Sequence, residues 1–124
     1  MAVRVFLLGI VAFALMSAFE YYGLVKDLFL TNWWIDLPIH FFGGVWAAAI
    51  AAWFILMSRQ RPDMVRCIVF VALCGIAIEV LEFFSGMRGS YFPYPIDTVK
   101  DVIVDLIGGY AGFALMRHFL LWQK

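Results

Sequence analysis

Seven carboxylates and one imidazole in this chain have the types and spacing of a metal or proton site. Asp97, Asp101 and Asp105 recur at i, i+4 and i+8. On a helix that spacing makes one stripe about two turns long. Glu79 and Glu82 stand at i and i+3, Asp36 and His40 at i and i+4, and Glu20 lies alone upstream. Hard divalent cations such as Mg²⁺, Ca²⁺ and Mn²⁺ take carboxylate oxygens, whereas an imidazole nitrogen favours Mn²⁺, Fe²⁺ or Zn²⁺. Helical bundles build such sites from Asp, Glu and His on facing helices. The candidate ligands of a divalent metal ion are therefore Asp36, His40, Glu79, Glu82, Asp97, Asp101 and Asp105. Glu79 and Asp101 are the candidate catalytic carboxylates. Arg88 and Glu20 are candidates for binding substrate, with Arg88 suited to an anionic head group.

Seven carboxylates packed together cannot all stay ionised without compensation, because like charges oppose one another. Metal ions, protons, Arg88 and Lys100 are the available compensators. Lys100, flanked by Asp97 and Asp101, can also snorkel outward. Plainer roles exist for several of these groups. Asp36 before Leu37-Pro38, Asp97 before Thr98-Val99, and Asp63 after Pro62 all suit helix N-caps. Asp27 suits a solvated loop, Glu20 a wet interface, and His118 beside Arg117 an interface. The remaining alternative for Glu79, Glu82, Asp101 and Asp105 is a set of interhelical hydrogen bonds or ion pairs.

The elements that must position these groups are membrane helices. The chain has 124 residues and is 65% hydrophobic, with a mean hydropathy of +0.94. A soluble domain this small could not hide that much apolar surface. A membrane span needs about 20 mostly apolar residues. Four stretches qualify: Val3 to Val25, Pro38 to Met57, Met64 to Phe84, and Val99 to Trp122. The expected fold is all-α, a single four-helix transmembrane domain over 1–124. The first stretch has a basic start at Arg4 and small residues at Ser17 and Ala18, as a signal peptide would. Its apolar run continues past Ala18, so it is expected to be a retained helix.

Lys and Arg distribution sets the orientation. Arg59, Arg61 and Arg66 cluster around the second loop, and Arg4, Arg117 and Lys124 lie near the termini. The first loop has only Lys26, and the third has Arg88 with Lys100 just beyond. Both termini and the second loop are therefore expected in the cytoplasm, in a bacterial inner membrane crossed several times. The acidic groups then share the outer half. Tyr21, Tyr22, Trp33, Trp34, Tyr91 and Tyr94 suit an outer aromatic belt, with Trp53 and Trp122 near the inner interface. Cys67 and Cys74 share a helix face two turns apart, too far to bridge, and suit packing. Gly43-Gly44 and Gly108, Gly109 and Gly112 allow close helix approach. Formal net charge is zero, which leaves no basic footprint for nucleic acid.

The order Asp36-x-x-x-His40-Phe41, Glu79-x-x-Glu82, then Asp97-x-x-x-Asp101-x-x-x-Asp105-x-x-Gly108 resembles the small YjdF-like bacterial inner-membrane proteins and the wider VanZ-like proteins. The resemblance covers about Trp33 to Met116. VanZ-like members usually carry Gln at the position of Glu82 and Asn at that of Asp105, so this more acidic chain is closer to the YjdF-like group. The resemblance implies a polytopic membrane protein linked to the cell envelope and supplies no reaction. A looser similarity links Asp-x-x-x-Asp on membrane helices to lipid-phosphate transferases that hold Mg²⁺ against a phosphate. Three functions are expected to compete. One is a metal-dependent enzyme on a lipid or lipid-linked envelope precursor. Another is an ion, metal or proton-coupled carrier, which needs a polar path through the cytoplasmic half. The third is an accessory or structural subunit, with or without oligomerisation, whose polar cluster fixes helix packing.

Overall fold

A computed structural model describes residues 1–85 and 91–118. Among them the chain forms four α-helices: α1 (Ala2–Val25), α2 (Asp36–Met57), α3 (Met64–Ser85) and α4 (Tyr94–Met116). The all-α expectation holds, and the bounds of α1, α2 and α3 fall within two residues of the apolar runs. Three helices, α1 to α3, are long and apolar enough to cross a membrane. The fourth is as long but carries Asp97, Lys100, Asp101 and Asp105.

Helix α4 starts well before Val99. Pro93 holds an extended backbone as its N-cap, and Pro95 falls in the first turn, where a missing N–H leaves no bond unmade. Ile96 and Asp97 donate their N–H groups to the Pro93 carbonyl at 2.9 and 3.1 Å. The early start puts Asp97 inside the first turn rather than at the cap. Helix α2 likewise begins at Asp36 with no side-chain cap. The cap roles suggested for Asp36 and Asp97 are thus not taken up, and both carboxylates are free for contacts across helices. Asp63 does cap: its Oδ1 accepts the Arg66 N–H at 3.0 Å.

Helices α1 and α2 end alike. Leu28 N–H bonds to the Gly23 carbonyl and Asp27 N–H to that of Leu24. Gln60 bonds to Ile55 and Arg59 to Leu56 in the same way. These paired bonds are Schellman motifs, with Asp27 and Arg59 in the left-handed region.

Helix α2 is the centre of the bundle. It packs against α4 and α1 most extensively and against α3 less, while α3 also packs on α4. Its buried face is largely small: Gly44, Ala47, Ala48, Ala49, Ala51 and Ala52. At the crossing with α4 the two backbones touch. A Cβ on Gly44 would lie 2.0 Å from the Asp105 carbonyl oxygen, and one on Gly108 would lie 2.0 Å from that of Phe41. Only glycine fits at either place. In lipid, where apolar side chains gain nothing by leaving the tails, such close packing is what holds helices together. The half of the bundle away from the acidic groups is apolar, with Val5, Ala52, Cys67, Val71, Phe113 and Met116 in its core. Cys67 and Cys74 are both free thiols, the first buried and the second half-buried, as packing residues would be.

Candidate functional site

The α2–α4 contact places His40 against the acidic stripe of α4. His40 Nδ1 lies 3.3 Å from Asp105 Oδ1. Its Nε2 lies 3.6 Å from Asp101 Oδ2 and 3.7 Å from Asp36 Oδ1. His40, Asp101 and Asp105 are buried and Asp36 is half-buried. One donor atom each from Asp36, His40 and Asp101 lies within 4.8 Å of the others, so this group could hold a metal ion.

Lys100 closes the other side. Its Nζ lies 2.7 Å from Asp97 Oδ1 and 3.1 Å from both Asp36 Oδ2 and Asp101 Oδ1. It therefore turns into the cluster instead of snorkelling away, and its charge also sits 5.5 Å from the centre of the Phe92 ring. The contact with Asp101 Oδ1 is off the direction of a hydrogen bond, so that buried oxygen has an ion pair but no hydrogen-bond donor. Each of Asp36 and Asp101 thus gives one oxygen to Lys100 and turns the other toward His40. The two carboxylates are clamped between a lysine and an imidazole.

Glycines make room for this arrangement. A Cβ on Gly75 of α3 would lie 2.6 Å from Asp105 Oδ2, and one on Gly43 would lie 3.6 Å from Asp105 Oδ1. Asp105 is buried because α2 and α3 both approach it through glycines, with almost no side chain in between.

Glu79 stands apart from the triad. It is buried on α3, its Oε2 accepts the Thr98 hydroxyl at 2.6 Å, and its backbone carbonyl accepts the Tyr94 hydroxyl at 2.8 Å. Its other oxygen has no partner among the described residues. Glu82, half-buried one turn outward, is within Coulombic reach of Glu79, His40, Asp36 and Asp97. Among the described residues, the group of three converging donors includes neither glutamate, nor Asp97 or Asp105. Those two aspartates support the triad from outside it, through Lys100 and His40. Glu20 is exposed on α1, and no hydrogen bond or ion pair joins it to the cluster among the described residues. Helix α1 packs on α2 alone to any extent, which is why its one carboxylate stays out. Arg88 lies outside the described residues, as do Trp122 and Lys124.

Sequence spacing did not single out Lys100 as the hub, nor Thr98 and Tyr94 as partners of Glu79. The signal for Lys100 was there: it lies at i+3 from Asp97 on the acidic face. Thr98 and Tyr94 lie at i and i+4 on the neighbouring face, a spacing too common to mark.

At the opposite end, Asp63 and Arg66 form an exposed pair. Arg66 Nε donates to Asp63 Oδ2, and the Arg66 guanidinium also reaches Gln60 Oε1 at 2.7 Å and the Arg61 carbonyl at 3.1 Å. The Arg66 N–H and guanidinium hold the Asp63 carboxyl below the usual carboxylate range.

No family model matches the chain, and neither a curated protein nor a solved structure is significantly similar to it.

Proposed function

We propose that this chain is a four-span bacterial inner-membrane protein that holds a divalent cation between Asp36, His40 and Asp101. In this reading both termini are cytoplasmic, and the cation serves chemistry on the head group of a lipid or lipid-linked envelope precursor. One observation carries the proposal: three ligand atoms converge while their second atoms are all engaged elsewhere. With Nδ1–H donating to Asp105, the His40 Nε2 lone pair faces Asp36 Oδ1 and Asp101 Oδ2. A ligating histidine ordinarily donates its other N–H to a carboxylate in this way. Lys100 fixes the far oxygens of both aspartates.

The spacing and the imidazole ligand together favour Zn²⁺ over the harder cations. Two ligands at about 2.0–2.2 Å from a tetrahedral ion lie roughly 3.4 Å apart. Adjacent ligands of octahedral Mg²⁺ at about 2.0–2.1 Å lie roughly 2.9 Å apart. The separations of 3.6 and 3.7 Å from Nε2 are nearer the first, so Zn²⁺ fits better than Mg²⁺. Three protein ligands also leave a fourth position, which distinguishes catalytic from structural zinc. Such an ion can polarise a phosphoryl or carbonyl oxygen or lower the pKa of a bound water.

Helix α4 suits a span despite its charges. Asp97, Asp101 and Asp105 face inward and are buried, while Val99, Ile103, Ile107 and Tyr110 are exposed. Charges directed into the bundle are the usual arrangement in membranes. The apolar core of the other half offers a carrier no polar path among the described residues. The YjdF-like and VanZ-like resemblance agrees with this reading, though it adds no chemistry.

Elemental analysis of purified protein tests it. Stoichiometric zinc is expected, with loss on Asp101→Asn, and chelation should lower the thermal stability of the unsubstituted protein by mass action. Absence of bound metal together with indifference to chelator would favour a structural network, with His40 and Lys100 as the cations of a packing device. Orientation is tested separately by Gln60→Cys. Labelling of that thiol only from the periplasm would overturn cytoplasmic termini.

A further inference from the structure

Lys100 fills a cation position in its own right. Carboxylate oxygens from three aspartates on two helices surround its Nζ. Asp97 Oδ1 lies at 2.7 Å, and Asp36 Oδ2 and Asp101 Oδ1 both lie at 3.1 Å. Asp101 is only 3% exposed. Its Oδ1 faces the ammonium but receives no hydrogen bond from any described residue. That oxygen is held by charge and not by a directed N–H, so what it requires is a cation, not a lysine in particular.

Two of the three aspartates are shared with the triad. Asp36 turns Oδ1 to His40 Nε2 and Oδ2 to Lys100, and Asp101 turns Oδ2 to His40 Nε2 and Oδ1 to Lys100. Carboxylates from facing helices that give one oxygen to each of two cations are the plan of a two-metal site, whose ions stand about 3.5–4 Å apart. Here the first position is the triad, and the second is filled from within by Nζ. In a two-metal site both ions hold reacting oxygens. An ammonium supplies positive charge but accepts no ligand, so it offers a substrate oxygen no coordination position.

We propose that Lys100 is a tethered cation in the second position of a two-cation site, and that it confines the protein to a single divalent ion and to one-metal chemistry. The inference deepens the reading of the Asp36–His40–Asp101 triad and rests on it for the first position. The second position is all oxygen, so the ion that Lys100 keeps out is a hard one. Ca²⁺ fits better than Mg²⁺. Its oxygen ligands lie at about 2.3–2.6 Å in flexible geometry, so no oxygen need move more than about 0.5 Å, whereas Mg²⁺ demands near-ideal octahedra at about 2.0–2.1 Å.

The test is equilibrium dialysis of the zinc-loaded full chain in detergent against Ca²⁺, with both metals counted by elemental analysis. The unsubstituted protein should hold one zinc and no calcium. Lys100→Ser opens the second position, leaves every carboxylate in place, and should hold one zinc and one calcium. Lys100→Arg, which keeps the charge, should take up no calcium. Adding Asp97→Asn to Lys100→Ser should weaken calcium binding about tenfold or more and leave zinc in place, because Asp97 faces the second position alone. Adding His40→Gln to Lys100→Ser should do the reverse, with zinc lost and calcium kept. A Lys100→Ser protein that unfolds without the ion is still scored, because calcium should then raise its melting temperature and leave that of the unsubstituted protein unchanged. Zinc absent from the unsubstituted protein, with calcium still taken up by both serine-bearing variants that retain Asp97, would sink the triad and leave the second position standing. Neither calcium uptake nor rescue by calcium in Lys100→Ser, or calcium bound as tightly by the unsubstituted protein, would overturn the proposal.

Discussion

Two clusters in which Asp meets a basic side chain stand out among the described residues, and they are built differently. Asp63, Arg66 and Gln60 lie within one turn and its flanking loop, exposed, each partner within six residues of the next. Asp36, His40, Lys100, Asp101 and Asp105 are buried or half-buried, and their contacts span 64 and 65 residues of sequence. The first could form in an isolated peptide. The second exists only when α2 and α4 are pressed together at Gly44 and Gly108. Both set Asp carboxylates against basic side chains, so environment largely decides what each contact is worth. Exposed pairs contribute little, whereas removing one partner of a buried set leaves uncompensated charge.

Four experiments sharpen this contrast. The largest effect belongs to Lys100→Met, which strips the cation from Asp36, Asp97 and Asp101. Loss of one partner from a buried pair costs about 3–5 kcal/mol, and a deficit of that order should appear in reversible SDS unfolding. A change within error would mean the three contacts are not maintained. Next comes Gly108→Ala, whose Cβ would meet the Phe41 carbonyl at 2.0 Å. Overpacking of this kind costs about 1–3 kcal/mol. Because α2 must shift, the same variant should weaken zinc binding as well, measured by competition with a chromophoric chelator. Tolerance on both counts would remove the close crossing from the account. A smaller effect is expected for the His40–Asp105 bond in a double-mutant cycle with His40→Gln and Asp105→Asn. Hydrogen bonds inside membranes couple by about 0.6 kcal/mol on average and at most about 1.7. A coupling of zero would show that the pair does not orient the ring.

The smallest effect concerns Asp63 and depends on pH. Its carboxyl is held below the usual range by Arg66, so the contact stabilises the ionised form. That contribution is fully present above the unfolded value and is lost as pH falls through the folded one. Asp63→Asn should therefore be slightly less stable than the parent at neutral pH, and the gap should close in acid. Amide exchange at Arg66 and Cys67 reads it out. A gap that widened in acid would contradict the capping geometry.

Much of this was legible beforehand, for identifiable reasons. Helices α1, α2 and α3 announce themselves by unbroken apolar runs, a signal that survives without any partner. The apolar run locates α4 but puts its start at Val99, five residues after the helix begins at Tyr94. Charges at Asp97, Lys100 and Asp101 interrupt the run, and the helix extends through them because α2 covers that face. The acidic stripe and His40 were found by period alone. Which carboxylates meet was not, because that depends on helix rotation, and rotation follows from glycine contacts such as Gly44 on Asp105. Glu79 and Asp101 look equivalent in sequence, yet α3 turns the first toward Thr98 while α4 turns the second toward His40. Glu20 looks like a member in sequence, yet it is exposed on α1, which packs mainly on α2.

X-ray absorption at the zinc edge of the zinc-loaded, purified protein tests the central claim most directly. The account predicts one imidazole and two or more oxygens at about 2.0–2.2 Å, with the imidazole signature lost in His40→Gln and zinc binding lost in Asp101→Asn. Failure to bind zinc, or a spectrum without imidazole that is unchanged in His40→Gln, would contradict it.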